Sequence, residues 1–238
     1  MLFKIVSRLF KSLILRIKYF KAIIREKFNT SGNKFFAEII LKKIKQGTYL
    51  DCGCYHPFKG SQTKYLYDSG WKGTCIDISC ETVKLFKIFR PKDLNLNIGL
   101  STETKKQYAY FEKNISEISS LDKNYLNLIG RKVKFKRKIQ VMSLRDLRKK
   151  FSLDKINFLK IDCENVDEQI ILKASYKDLD ADFLSLEYLP KMKDTNNKKR
   201  AEANFLELLK KSKVYKKLSK KYKIINYFDY TFLFQKKI

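Results

Sequence analysis

From Ser31 onward the chain alternates short apolar runs with amphipathic stretches, and it closes on two strand signals only two residues apart. Alternation of this kind calls for an α/β sheet, because each helical stretch carries the chain back across the sheet between parallel strands. The closing pair cannot be joined that way. A two-residue connection makes Tyr222 to Tyr227 and Tyr230 to Gln235 an antiparallel hairpin at the end of a mainly parallel sheet.

The remaining elements follow from pattern and breakers. Phe35, Phe36, Ile39, Ile40 and Ile44 form one helical face, and Gly47 ends it before a strand over Thr48 to Cys52. A helix is expected from Gln62 to Ser69, a strand from Thr74 to Ile78, and a helix from Glu81 that must stop before Pro91. Leu94 to Leu100 reads as the third strand. Tyr108 to Phe111 and Val133 to Val141 look like strands added around a loop, and Ser143 with Asp146 resembles a capping box. Ile156 to Ile161 is the fourth core strand, followed by a helix face of Val166, Ile170, Ile171 and Ala174. A strand over Phe183 to Leu186 and a helix over Ala201 to Lys211 come next.

At 238 residues, with 44% hydrophobic side chains, the chain has the material for one packed domain and is too apolar for a disordered basic tail. Its formal charge of +27 comes from 52 Lys and Arg against 25 Asp and Glu. Lysine supplies most of it. Arginine, which reads bases and phosphates through bidentate contacts, is scarce, and this argues against a nucleic-acid partner. Five cysteines without a secretion signal fit a reducing cytoplasm, where they serve as small buried residues.

Residues 1–28 stand apart. They hold eight basic residues and one acidic one, with Leu2, Val6, Leu9, Leu13, Ile17, Phe20 and Ile24 recurring at helical steps. This reads as a basic amphipathic helix, too often interrupted by charge to cross a membrane. Two roles stay open: packing on the domain or a second subunit, or lying in the plane of an anionic inner leaflet. The domain proper is expected over residues 29–238.

The stretch that carries chemistry is Leu50-Asp51-Cys52-Gly53-Cys54-Tyr55-His56-Pro57. A strand ends in a carboxylate, and a glycine two residues later lets backbone approach a ligand at the carboxyl edge of the sheet. Asp77 ends the second strand, where an acid can accept hydrogen bonds from ribose hydroxyls. A dinucleotide would need the G-x-G-x-x-G turn, and only Gly53 is present. S-adenosylmethionine carries a sulfonium and an amino group, which makes the early carboxylate intelligible. The plainer alternative is that Asp51 and Gly53 only shape a strand-to-helix turn.

This run, continuing through Ser61-Gln62-Thr63, Tyr65-Leu66-Tyr67 and Gly70-Trp71-Lys72-Gly73 to Ile76-Asp77, resembles the FkbM family of S-adenosylmethionine-dependent methyltransferases. Leu159-Lys160-Ile161-Asp162-Cys163-Glu164-Asn165, with Ile171-Leu172-Lys173 after it, is similar to the family's K-I-D-x-E-G segment, and Ser185-Leu186-Glu187 to its next acid-ended strand. Cys54 and Asn165 depart from the family's usual small residues. The resemblance implies an α/β, Rossmann-like class I methyltransferase: a seven-stranded, mainly parallel sheet with an antiparallel last strand and helices on both faces. It implies S-adenosylmethionine as cofactor and O-methylation of a hydroxyl on a sugar or other small metabolite. Asp51, Gly53 and Cys54 would line the methionine end, Asp77 the ribose, and Asn97 and Ile98 the adenine. Asp162 and Glu164 would face the acceptor and, with His56, are the candidate bases.

No metal is assigned, although two carboxylates and a histidine are a set that can ligate Mg²⁺. An inner-leaflet helix would suit a bacterial cytoplasmic enzyme working on lipid- or nucleotide-linked sugars for a surface polysaccharide. The rivals are a nucleic-acid methyltransferase, for which the sequence lacks the Pro-Pro-aromatic and Pro-Cys signatures, and a non-catalytic membrane-surface protein on the same fold.

Overall fold

The computed structural model describes residues 13, 14, 17, 32–188, 198–228 and 230–237, with backbone alone at 32–33 and 198–204. Most of the expected N-terminal helix therefore lies outside the described residues. Leu13, Ile14 and Ile17 are helical and exposed.

Strand β1 (Thr48–Cys52) lies inside the sheet, paired in parallel with β2 (Lys72–Ile76) on one side and with the later strand Phe158–Ile161 on the other. Beyond β2 lies β3 (Leu94–Leu96), also parallel. These central strands are buried on both faces, which is why they read as unbroken apolar runs. Alternate residues of β1 part company. Tyr49 packs with Phe36, Ala37 and Ile40 of α1 (Gly32–Lys43), Leu66 of α2 (Lys64–Asp68) and Phe86 of α3 (Cys80–Phe89). Leu50 and Cys52 face the opposite core. Phe35, expected on the buried face of α1, is 47% exposed, because the helix presents Ala37 to the sheet instead.

The expected third strand is broken. After Leu96 the chain leaves the large sheet, and Gly99–Leu100 (β4) pairs in parallel with β6 (Phe135–Met142), itself antiparallel to β5 (Lys105–Phe111). The close approach at Gly99, where a Cβ would come within 2.9 Å of Ile78 and 3.1 Å of Val141, brings this small sheet against the large one. Its loop carries a helix that the sequence pattern did not suggest, α4 (Lys123–Leu128), capped by Asp122, whose carboxylate accepts from the Asn124 N–H at 2.8 Å.

The chain re-enters through α5 (Leu144–Lys150). Its Ser143 cap accepts from the Asp146 N–H at 3.1 Å, as the capping box anticipates. Strand β7 (Phe158–Ile161), α6 (Asp167–Lys173), β8 (Phe183–Glu187), α7 (Lys198–Lys211) and α8 (Lys213–Leu218) follow. The helices α5 to α8 bury Leu144, Leu147, Ile170, Ile171, Phe205, Leu209, Val214 and Leu218 on the second face. Strands β9 (Tyr222–Phe228) and β10 (Thr231–Lys236) form the antiparallel hairpin, and β10 also pairs antiparallel with β8. The strand order is β3-β2-β1-β7-β8-β10-β9, with β10 alone reversed. Among the described residues, no helix is long and apolar enough to cross a membrane.

Candidate active site

In this order the chain works outward from β1 in one direction, then returns to lay β7 on its other side. The carboxyl ends of β1 and β7 thus flank the switch point, where open α/β sheets bind ligands. The two ends touch. Gly53 has φ +77°, and a Cβ there would lie 1.8 Å from the Asp162 carbonyl oxygen, so only glycine admits this approach. The Asp162 N–H extends the pairing by donating to the Cys52 carbonyl at 3.1 Å.

Lys160 is the hinge of the charge arrangement. Its side chain is 5% exposed, and its ammonium donates to the Gly53 carbonyl at 2.7 Å while lying 3.1 Å from Asp162 Oδ2 and 3.4 Å from Asp51 Oδ1. Asp51 is buried. Its Oδ2 accepts from the Thr63 hydroxyl at 2.5 Å, and its Oδ1 has no hydrogen-bond donor, only the more distant ammonium. Below it the fully buried Arg90 donates to Thr63 at 2.9 Å, to Ser61 at 3.2 Å, to Asp93 at 2.8 Å and to the Tyr49 hydroxyl at 2.6 Å. Asp51 therefore belongs to a polar network under the sheet edge, and Cys54 packs its thiol in the core beside it.

Asp77 sits at the end of β2 with one oxygen on the Tyr55 N–H at 2.9 Å and the other on the Ser79 N–H at 2.7 Å. Burial outweighs those two donors and raises its pKa to about 6. Asn97, exposed, donates to the Asp77 carbonyl at 2.9 Å, while Ile98 joins the core. His56 shapes the following turn, since its Nδ1 accepts from the N–H groups of Phe58 and Lys59, each at 3.2 Å. Burial, then the Lys59 charge, lowers its pKa to about 4 and keeps the ring neutral at pH 7.

On the other side of the switch point three carboxylates converge. Asp162, Glu164 and Glu187 each bring an oxygen within 4.8 Å of the others. Burial first, then the Asp162 charge, pushes Glu164 well above the usual carboxylate range, and the same causes act on Glu187 with Glu164 added. Asp167, whose carboxylate accepts from the Cys163 N–H at 2.7 Å, is pushed up to about 7, chiefly by burial. On this side Lys160 thus faces four acidic groups, with Asp51 on its other side. Burial and mutual repulsion keep Glu187 and part of Glu164 protonated near neutral pH, so the cluster holds both carboxyls that donate and carboxylates that accept. Glu187 was visible in the sequence as a strand-terminal acid. Tyr125, whose hydroxyl donates to Glu164 Oε2 at 2.9 Å, had no such signal.

The sheet, with its acidic crevice at the switch point, is a mixed α/β fold consistent with a methyltransferase. The family model described as the methyltransferase FkbM domain matches residues 51–212, most of the chain. This protein belongs to the FkbM methyltransferase family. No curated protein matches the chain.

Proposed function

We propose that the protein is an S-adenosylmethionine-dependent O-methyltransferase of the class I, Rossmann-like type, acting on a hydroxyl of a sugar or similar small metabolite. The observation that carries this reading is the contact of Gly53 with Asp162, which sets the Asp77 side of the crevice and the Glu164–Glu187 side at one switch point. A buried carboxylate at the end of β2 suits ribose hydroxyls, and the acidic crevice suits a cofactor bearing an amino group and a sulfonium. Asp77 would hold the ribose, the backbone around Gly53 would adjoin the methionine end, and Asn97 and Ile98 would border the adenine. When bound, the cofactor supplies an electrophilic methyl group.

The protein's share is alignment and proton removal. A hydroxyl held in line with the methyl reacts faster through lost freedom alone. A carboxylate of Glu164 or Asp162 accepts the hydroxyl proton as the new bond forms. His56, neutral and committed through Nδ1 to its own turn, is the weaker base candidate. Four acidic groups around one lysine favour a neutral hydroxyl at the reacting position over a phosphate or carboxylate. They also oppose a nucleic-acid backbone.

Calorimetric titration with S-adenosylmethionine and S-adenosylhomocysteine tests the reading. Binding by wild type and its loss in Asp77→Ala are expected; no heat with wild type would sink the cofactor assignment. The N-terminal segment is proposed to rest on an anionic leaflet, in keeping with the exposure of Leu13, Ile14 and Ile17. Flotation with anionic liposomes should separate the full chain from one starting at Asn29. Equal behaviour of the two would remove this role.

A further inference from the structure

The segment from the end of β5 to α4 spans both sides of the crevice. Near the β2 end, the Asn114 carbonyl accepts from Ser79 Oγ, and Glu117 Oε1 meets Lys59 at 2.7 Å and the Tyr55 hydroxyl at 3.2 Å. Near the β7 end, Ser120 Oγ donates to the Glu164 carbonyl at 2.7 Å, Asn165 Nδ2 donates to Asp122 at 3.0 Å, and Tyr125 reaches Glu164 Oε2. The two residues it grips there are unusual. Glu164 has φ +53° and Asn165 φ +76°, a region that side chains other than glycine enter only when their surroundings hold them. The three tethers from Ser120, Asp122 and Tyr125 supply that hold.

We propose that Tyr125 is a positioning residue for Glu164, through which the 112–125 segment holds that carboxyl in the crevice. This rests on the reading of Glu164 as an acceptor-side base. The Tyr125 hydroxyl occupies one lone pair of Oε2, which orients the carboxyl and favours its ionised form, and leaves Oε1 to take the acceptor proton. The other groups facing Glu164 are Asp162, Lys160 and Asp167 from β7 and the turn beyond it, and Glu187 from β8. Of these only Lys160 favours the carboxylate, and it is bound to Asp162 and Gly53, so the tyrosine is the direct partner that keeps Glu164 usable as a base.

The test is a carboxyl titration of the full chain labelled with ¹³C-glutamate, with the Glu164 signal assigned by its loss in Glu164→Gln. Tyr125→Phe keeps the ring and should raise the Glu164 midpoint by about one pH unit, while S-adenosylhomocysteine affinity stays within about twofold of wild type. 3-Fluorotyrosine at position 125, a stronger donor, should move the same midpoint down. Opposite shifts from two substitutions of similar shape are not expected of a packing role. An unmoved midpoint in both proteins, or shifts of the same sign, would overturn the proposal. Failure of wild type to bind S-adenosylhomocysteine would overturn the functional reading on which the role depends. That failure is recognisable because the midpoint would still answer to Tyr125.

Discussion

Lys160 donates to the Gly53 carbonyl at 2.7 Å across the boundary between β7 and β1, so a single buried ammonium bonds one strand's terminal backbone while standing against Asp162 from its own. Lys160→Met would leave Asp162 without its ion-pair partner, Asp51 with only the more distant Arg90, and the Gly53 carbonyl without its donor. Breaking a buried pair from one side costs about 3–5 kcal/mol. Urea unfolding should report a loss of at least about 3 kcal/mol, accompanied by loss of S-adenosylhomocysteine binding. Wild-type stability in this variant would show that the ammonium does not hold the strand ends together.

Gly53→Ala is expected to separate the same two strand ends. The new Cβ would start 1.8 Å from backbone that has no freedom to withdraw, and the left-handed conformation adds about 1–2 kcal/mol. Gly70→Ala is the control. It shares a positive φ, +90°, but has nothing within 4 Å of a new Cβ, so it should cost only about 1 kcal/mol and leave ligand binding intact. Equal effects of the two substitutions, read by thermal melting and calorimetry, would contradict this account.

The Arg90 network should behave as a unit. Tyr49→Phe removes a hydroxyl that accepts from Arg90 and donates to Asp93, a loss of about 1–3 kcal/mol. Arg90→Ala strands Asp93 and should cost about 3–5 kcal/mol. The double variant should fall well short of the sum, because the two side chains share their partners. Simple additivity in a denaturant-based cycle would argue against a common network.

Acid–base linkage gives a fourth expectation. Glu187 holds its proton more tightly folded than unfolded, so its contribution is full below the ordinary glutamate value of 4.5 and is lost as pH rises through the raised folded value. Glu187→Gln, which is neutral at every pH, should therefore melt higher than wild type in alkaline buffer and lose that advantage near pH 4. Melting curves of the two proteins that run parallel across this range would show that Glu187 does not titrate as described.

What could be read from the chain divides along physical lines. The central strands were legible because burial on both faces writes itself as an uninterrupted apolar run, and the reversed β10 because two residues cannot make a crossover. The split after Leu96 was not, since Leu94 to Leu100 is apolar enough for one strand and only pairing partners distant in sequence assign its halves to different sheets. Helices α4 and α8 are too short for periodicity to stand out. Asp77, Asp162 and Glu164 were visible as acids at strand ends. Their meeting with one another, with Glu187 and with Tyr125 was not, because these residues sit on separate strands and a helix that only the tertiary fold brings together. Arg90 is the clearest case. In the sequence it marked no more than the last place before Pro91 where the helix could end, yet Tyr49, Ser61, Thr63 and Asp93 close over it completely.

The hairpin places the later strand inside and the earlier one at the rim, with β10 lying between β8 and β9. During synthesis, β9 leaves the ribosome with no neighbour to join. It must wait until β10 has emerged and entered against β8. Until that moment Phe232 and Phe234 are missing from one side of the sheet and Leu233 from the other, so both cores are completed by the same late event. Premature termination anywhere before Thr231 would thus release a chain with an open β8 edge and two unfinished interiors, a species exposed to aggregation and to proteolysis.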